Sequence, residues 1–539
     1  MAQLDLATLH EAIAAAVPDR ECLVWRDRRW TWREVTERTR RLAHVLHDHG
    51  LGIGPEASSE PWESPHDHLA LYLHNGPEYL EGLVGAHKAR VAPFNVNYRY
   101  VDDELAQLFG DARPAAVMYH ARFAPAIGRV VERLNRRPLL LQVADESGTG
   151  LLPGALDYEA ALAAAPAGPL DGVRPDAGDL HILYTGGTTG LPKGVLWRIG
   201  DLMLGPLGLR RRDGTPVTDL GEAVERAVRS EVRVLVGPPL MHGAGTWSSL
   251  GGWCGGACVV FPTVVDGLDA ADLMATAERE RVTRMPLVGD AFARPIVAAL
   301  ESRPHELGPL RTMVNSAAAI SPEVKRRLLE LVPHSRIVDV LGSSESGFSV
   351  TRSGADAPAF TPSPGAAVLS ADRTRRLRPG DGELGWLAKG GTIPLGYLGD
   401  PDKTASTFLT VDGERLVVAG DRVRYRADGT IEFHGREATT INTGGEKVFA
   451  EEVEAVLRGL PGIADALVVG RPSERWGTEI VAVVRPAGPG SGPDDAELRA
   501  GCAVRLARYK IPKAFVRTGA SLRLPNGKAD YAAARALVT

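Results

Sequence analysis

An α/β fold with a smaller appended domain is what this sequence predicts, and three observations predict it. Helix-like and strand-like segments alternate through the first part of the chain. Several strand candidates are short, continuously apolar runs, the pattern of strands buried on both faces of a parallel sheet. At 539 residues the chain has room for several ordinary domains, or for one large α/β unit with a smaller one attached.

Taken in order, residues 30–50 (WTWREVTERTRRLAHVLHDHG) predict a helix. Leu42, Val45 and Leu46 recur at helical spacing and Gly50 stops the run. HLALYLHN at 68–75 alternates apolar and polar residues and turns at Asn75-Gly76-Pro77, which reads as a strand entering the helix at 78–90. RPAAVMYH (113–120) and RPLLLQVAD (137–145) are expected to be buried parallel strands. Residues 146–178, rich in Gly, Ala and Pro, suit a surface connection, and 198–230 resembles an insertion. Residues 351–381 read as irregular. From 383 onward short strands follow, with a hairpin turn at Asp428-Gly429, so a β-rich subdomain is expected there. Residues 437–539 form a compact tail with helix, strand and helix patterns (EEVEAVLRGL, ADALVVG, EIVAVVR) and a flexible PAGPGSGPDD segment at 486–495.

Composition excludes several classes. Lys and Arg number 62 against 67 Asp and Glu, a formal net charge of −5, so binding to nucleic acid by bulk positive charge is excluded. With 44% hydrophobic and 24% charged residues, global disorder is not expected. The 60 glycines and 38 prolines follow no Gly-X-Y period, so the excess belongs to turns and ligand-approaching loops. The four cysteines are too few for a disulfide scaffold, and Cys254 and Cys258 read as buried packing thiols. The N-terminal residues lack a signal-peptide pattern and no apolar run is long enough to span a bilayer, so a cytoplasmic location without a membrane span is expected.

The most informative segment is Tyr184-Thr-Gly-Gly-Thr-Thr-Gly-Leu-Pro-Lys193-Gly194, which follows the strand-like HILY. Thr185, Gly186, Gly187, Thr188, Thr189, Gly190 and Lys193 suit a phosphate cradle. Glycines let backbone N–H groups approach anionic oxygens, hydroxyls add bonds, and lysine adds a mobile cation. The lysine is followed by Gly rather than Ser or Thr, so this is not a Walker A loop. G-x-G-x-x-G at 380–385 lacks a strand–turn–helix context and is set aside.

Further strings follow in order: PPLMHGAG (238–245), NSAAAISPEV (315–324), LGSSESG (341–347), GELGWLAKGGTIPLGYLGDPDKT (382–404), VAGD (418–421), GREATTINTGGEKVFAEEVE (435–454) and LPNGKAD (524–530). Together with the glycine-rich loop they resemble the adenylate-forming superfamily, in its acyl-CoA ligase branch, over nearly the whole chain. The early part is similar to actinobacterial ligases for bulky polycyclic acids, such as steroid or diterpenoid acids.

The resemblance implies ATP, CoA, Mg²⁺ and a carboxylic acid as ligands, and a homodimer is the expected assembly. A carboxylate is a poor acyl donor, and joining it to AMP gives a mixed anhydride that a thiol can attack. Lys528 is then the cation bridging the carboxylate and the α-phosphate, in a step where two anions must meet. Glu345 is the Mg²⁺ carboxylate. Gly342, Ser343 and Ser344 border the nucleotide, with Ser344 where the family usually has Thr. Leu341 stands where many members have a Tyr that packs on adenine, and Ala317, Ala318 and Ala319 line the base. Asp421 accepts from the ribose diol and Arg436 is a second nucleotide contact. His242 positions substrate or gates the site, and Gly243, Gly245 and Trp247 begin the acyl pocket, the glycines implying close approach to a ligand. Gly444, Gly445, Glu446 and Lys447 border the thiol path. Arg210, Arg211 and Arg212 are a solvated surface, with contact to a CoA phosphate as the alternative.

The expected domains are 1–436 and a mobile 437–539, hinged at Ala438, where the family usually has Asp or Lys. Leu341 and Ala438 admit a second reading, a ligase weak in adenylation that mainly forms thioester from supplied adenylate. A non-catalytic nucleotide or acyl binder is the third reading, and transfer to a carrier protein instead of CoA a further one.

Overall fold

The computed structural model describes residues 4–54, 60–186, 192–211, 213–353, 359–436, 440–488, 492–523 and 529–539. Two large sheets dominate the described residues. One has eight strands in the spatial order Gly396–Tyr397, Pro192–Arg198, Leu180–Gly186, Ala92–Asn95, His68–Tyr72, Ala116–His120, Leu139–Val143 and Leu156–Asp157. The other has nine, with Arg336–Ser343, Thr312–Asn315, Arg284–Leu287, Arg233–Leu235, Cys258–Phe261 and Glu21–Trp25 adjacent and parallel at its centre.

Helices Leu6–Ala16, Trp32–Asp48, Pro77–Lys88 and Gly243–Cys254 share one apolar core with the inner faces of both sheets. Helices Ala270–Arg279, Gly289–Ser302 and Pro322–Leu331 cover the outer face of the nine-stranded sheet. Asp102–Ala112 and Ala124–Val131 cover that of the eight-stranded sheet. This is the layered α/β architecture expected. The helix at 32–48 starts where Thr31 and Glu34 form a reciprocal capping box. His68–Tyr72 is buried at all five positions, so the apparent alternation at 68–75 gives way to a central strand with no solvent face. Ala116–His120 and Leu139–Val143 pair in parallel as expected.

The β-rich subdomain is a six-stranded sheet that includes Leu384–Lys389, Asp421–Tyr425 and Ile431–Arg436, and Gly429 takes the positive φ of the hairpin turn. Three sequence expectations are corrected. Residues 146–178 contain a helix, Tyr158–Ala164, capped by Asp157. The stretch at 351–381 contains the strand Ala366–Leu369. EIVAVVR is a strand, Gly477–Pro486, paired antiparallel with Ile463–Ser473, because its continuous β-branched run is buried in the C-terminal sheet rather than amphipathic.

All four cysteines are buried and free, and burial pushes the Cys254 and Cys258 thiols up to about 12. Among the described residues no helix is long and apolar enough to cross a membrane.

Seven histidines, His10, His68, His74, His87, His120, His181 and His242, are held below the ordinary imidazole value, burial being the largest cause at each. His74, His87 and His120 fall to about 4, and His181 and His242 to about 3. The unfolded chain therefore binds more protons below about pH 6.5, and the stability present above that value is lost as pH falls toward 4. Each of the six buried histidines contributes a slope of up to about 1.4 kcal/mol per pH unit, and the partly exposed His242 less. Thermal melts are expected to drop steeply between pH 6.5 and 4, and a flat melting temperature across that window would contradict the assignment.

Candidate active site

The site lies where parallel strands of both large sheets end. Residues following the C-terminal ends of Ala92–Asn95, Arg233–Leu235, Arg284–Leu287 and Thr312–Asn315 converge on one cavity of about 320 Å³. Two buried asparagines tie the sheets together there. Asn75 Nδ2 donates to the Pro238 carbonyl at 3.0 Å, and Asn75 Oδ1 accepts from Leu240 N at 2.7 Å. Asn95 Nδ2 donates to the Met241 carbonyl at 2.7 Å and to the Tyr184 carbonyl at 2.9 Å. The segment 238–241 is thus fixed from the opposite sheet.

His242 follows in extended conformation and begins the helix Gly243–Cys254, so its ring is set at the cavity wall by a helix start. Burial, then the charges of Arg99 and Lys447, holds its imidazole down to about 3. Nε2 lies 3.0 Å from Glu446 Oε2, within ion-pair distance but without hydrogen-bond alignment. A neutral imidazole of such low basicity is suited to positioning rather than to proton transfer. Trp247, one turn on, is 7% exposed and packs edge-on against Phe348 with ring centroids 5.6 Å apart. Val340, Phe292 and Leu268 continue the apolar wall.

The segment 444–447 faces this cavity. Gly444 (φ +57°) and Gly445 (φ +86°) need the left-handed region. A Cβ would stand 3.0 Å from the Trp476 ring at the first and 2.9 Å from Val288 at the second. Glu446 pairs with Arg99 as well as approaching His242.

Of the nucleotide candidates, Thr185, Ala317, Gly342, Ser343 and Ser344 are on the same cavity wall. Ala317 adopts φ +65°, a strained backbone of about 1–2 kcal/mol for a residue with a Cβ. Ser343 Oγ accepts from the Glu345 and Ser346 amides, both at 3.2 Å, and the Ser344 carbonyl accepts from Trp197 Nε1 at 2.9 Å. Glu345 accepts from the Tyr397 hydroxyl at 3.0 Å, one step behind the wall. Asp421 is buried and pairs through the backbone with Arg436. Gly186 ends its strand. Gly187, Thr188, Thr189, Gly190, Ala438 and Lys528 lie outside the described residues, as does the Arg436 side chain.

Several candidates sit off the cavity wall. Lys193 is paired with Asp400 Oδ2 at 2.6 Å, so a phosphate must compete with a carboxylate for it. Leu341 packs into the β-rich subdomain's core, and its neighbours Val340 and Gly342 line the cavity instead. Ala318 faces Gly289, and the Ala319 carbonyl accepts from Asp290 N at 3.2 Å. Gly243 lines the cavity, but Gly245 does not. A Cβ on Gly245 would stand 2.4 Å from the Pro239 carbonyl oxygen, so the close approach read there is to backbone and not to ligand. Arg211 pairs with Glu222 and Arg210 donates to the Leu204 carbonyl, which leaves both on structural duty.

Sequence reading missed Asn75, Asn95, Arg99, Phe348, Trp476, Tyr509 and Lys510. Arg99 and Tyr509 carried no motif, and each becomes visible only when distant segments meet.

Among the described residues no cluster of three or more His, Cys, Asp or Glu forms a protein-only metal cage. A lone carboxylate such as Glu345, completed by phosphate oxygens and water, is nonetheless an arrangement Mg²⁺ accepts.

The model of the AMP-binding enzyme family matches residues 10–391, and that of the AMP-binding enzyme C-terminal domain matches 452–528. The chain is 48% identical to the medium-chain acyl-CoA ligase Mig of Mycobacterium avium, across 97% of this chain and 96% of that one. It is 36% identical to a medium/long-chain-fatty-acid–CoA/3-oxocholest-4-en-26-oate–CoA ligase of Mycobacterium marinum, covering 98% and 95%. The solved amide bond synthetase McbA of Marinactinospora thermotolerans shares the fold, with a TM-score of 0.79 at 20% identity and 99% of each chain covered. With its layered sheets, its shared cavity and both family models in sequence order, this chain belongs to the AMP-binding enzyme family, in the acyl-CoA ligase branch.

Proposed function

We propose that the protein activates a medium-chain aliphatic carboxylic acid with ATP and then passes the acyl group to CoA. In the first step a carboxylate oxygen attacks the α-phosphorus and pyrophosphate leaves. In the second the thiol sulfur attacks the acyl carbon, and AMP leaves with its proton balance met by solvent. Mg²⁺, when bound, supplies charge neutralisation at the phosphates, and Glu345 is the residue to hold it. Lys528 screens the meeting anions, Asp421 and Arg436 hold the nucleotide, and 185–193 cradles its phosphates. The hinge is placed at Ala438, dividing 1–436 from 437–539. A cytoplasmic location fits the four free cysteines and the two coenzyme substrates.

The observation that carries the acyl assignment is the cavity itself. Its walls at Trp247, Phe348, Val340 and Leu268 are apolar, which suits a hydrocarbon tail. At about 320 Å³ it is at the small end for a ligand site, and it also borders the proposed thiol path. The medium-chain reading is favoured by the name of the 48%-identical relative, a medium-chain acyl-CoA ligase. The second reading, a bulky alicyclic acid, is favoured by the steroid acid in the name of the 36%-identical relative.

A panel of acids separates the two. Octanoate and decanoate are expected to give kcat/KM at least about tenfold above a steroid side-chain acid, and the reverse order selects the second reading. Trp247→Ala is expected to shift the optimum toward bulkier acids by about 10- to 100-fold in relative kcat/KM. An unchanged ranking removes Trp247 from the acyl wall.

A further inference from the structure

The segment 444–447 lines the cavity, and one carboxylate outside the cavity takes two groups of the C-terminal residues. Glu104 is the third residue of the helix Asp102–Ala112. Its Oε2 accepts from Val101 N at 3.0 Å, as a helix-start residue does, and also from Ala507 N at 3.1 Å, 403 positions later. Its Oε1 accepts from Lys510 Nζ at 2.6 Å. Lys510 donates in turn to Glu452 Oε1 at 2.6 Å, and its ammonium lies 5.0 Å from the centre of the Tyr100 ring. Glu104 and Lys510 are 5% and 4% exposed.

Ala507 and Lys510 bracket the short turn Arg508–Lys510, which carries Tyr509 to the cavity wall, where Asn97 Nδ2 donates to its hydroxyl at 3.1 Å. Burial, with Glu104 close by, pushes the Glu452 carboxyl up to about 7. A buried ion pair of this kind returns little net stability, because desolvation offsets attraction. What it fixes is geometry, since in this placement of the turn the Ala507 amide and the Lys510 ammonium both meet Glu104.

We infer that Glu104 is a positioning residue for thioester formation, holding the 507–510 turn so that 444–447 remains at the cavity. The inference rests on the two-step reading proposed above. Adenylation, assigned to the orientation that brings in Lys528, does not require this contact.

Glu104→Gln tests it, because glutamine keeps the size and an accepting oxygen for Val101 and Ala507 but not the charge for Lys510. Two half-reactions are measured on the full chain: pyrophosphate release from octanoate and ATP without CoA, and acyl-CoA formation from synthetic octanoyl-adenylate and CoA. The thioester step is expected to fall about tenfold or more while pyrophosphate release stays within about twofold. Amide exchange at 444–447 and 507–510 is expected to quicken, with the helix Ala124–Val131 unchanged. A parallel fall in both steps with a lowered melting temperature overturns the assignment, as does unchanged exchange at 507–510. If the wild-type chain performs neither step, the two-step reading falls and the exchange comparison alone decides the role of Glu104.

Discussion

Lys528→Ala is expected to lower pyrophosphate release by about 10²–10³-fold while leaving thioester formation from supplied acyl-adenylate within about threefold. The asymmetry follows from charge. Adenylation brings a carboxylate against a triphosphate, and without a cation between them the repulsion enters the barrier directly. Thioester formation starts from a mixed anhydride whose anions are already joined, and in the reading proposed above it is served by His242, Glu446 and the two glycines before it, all on the cavity wall. The measurement is pyrophosphate release without CoA beside acyl-CoA yield from synthetic adenylate. Equal loss of both would assign Lys528 a structural role. The same pair of assays addresses the reading in which adenylation is already weak. There the wild type itself releases pyrophosphate slowly, Lys528→Ala changes little, and Ala438→Asp restores the first step.

The layered α/β architecture was legible because buried parallel strands announce themselves as short apolar runs, as at 113–120 and 137–145. Thr185, His242, Trp247 and 444–447 were legible because the chemistry places unusual residues in local strings, and the fold brings all of them to one cavity. Less legible was anything decided by distant partners. Lys193 reads as a free cation beside a glycine-rich loop, yet Asp400 claims it across 207 positions. Leu341 reads as a base-contacting residue, yet the β-rich core takes its side chain. EIVAVVR reads as helix, yet pairing along an antiparallel partner makes it a strand, since a short apolar run does not by itself separate the two. Glu104 looks like an ordinary helix-start acid, and only the fold shows that its carboxylate also takes Ala507 and Lys510.

Gly245 shows how a correct motif carries a wrong reason, and its replacement by alanine gives the second large effect. The added Cβ meets the Pro239 carbonyl oxygen at 2.4 Å and the Pro238 carbonyl oxygen at 2.8 Å. Neither can retreat, because Asn75 grips Pro238 and Leu240, Asn95 grips Met241, and the Thr246 hydroxyl donates to the Leu240 carbonyl. The start of the helix Gly243–Cys254 must therefore move, taking His242 and Trp247 with it. The overpacking is expected to cost about 1–3 kcal/mol of stability. An ångström-scale shift of the site is expected to cost about 10²-fold in kcat/KM. Gly243→Ala is the control, since its Cβ would rest 3.4 Å from the Trp247 ring, an ordinary contact at the cavity wall. That variant is expected to melt within a few degrees of wild type and to discriminate more strongly against bulky acids. Thermal melts and kcat/KM on the same acid panel decide the matter. A Gly245→Ala enzyme that melts and turns over like wild type would falsify the backbone explanation. One that folds normally but loses only bulky acids would return Gly245 to the acyl pocket.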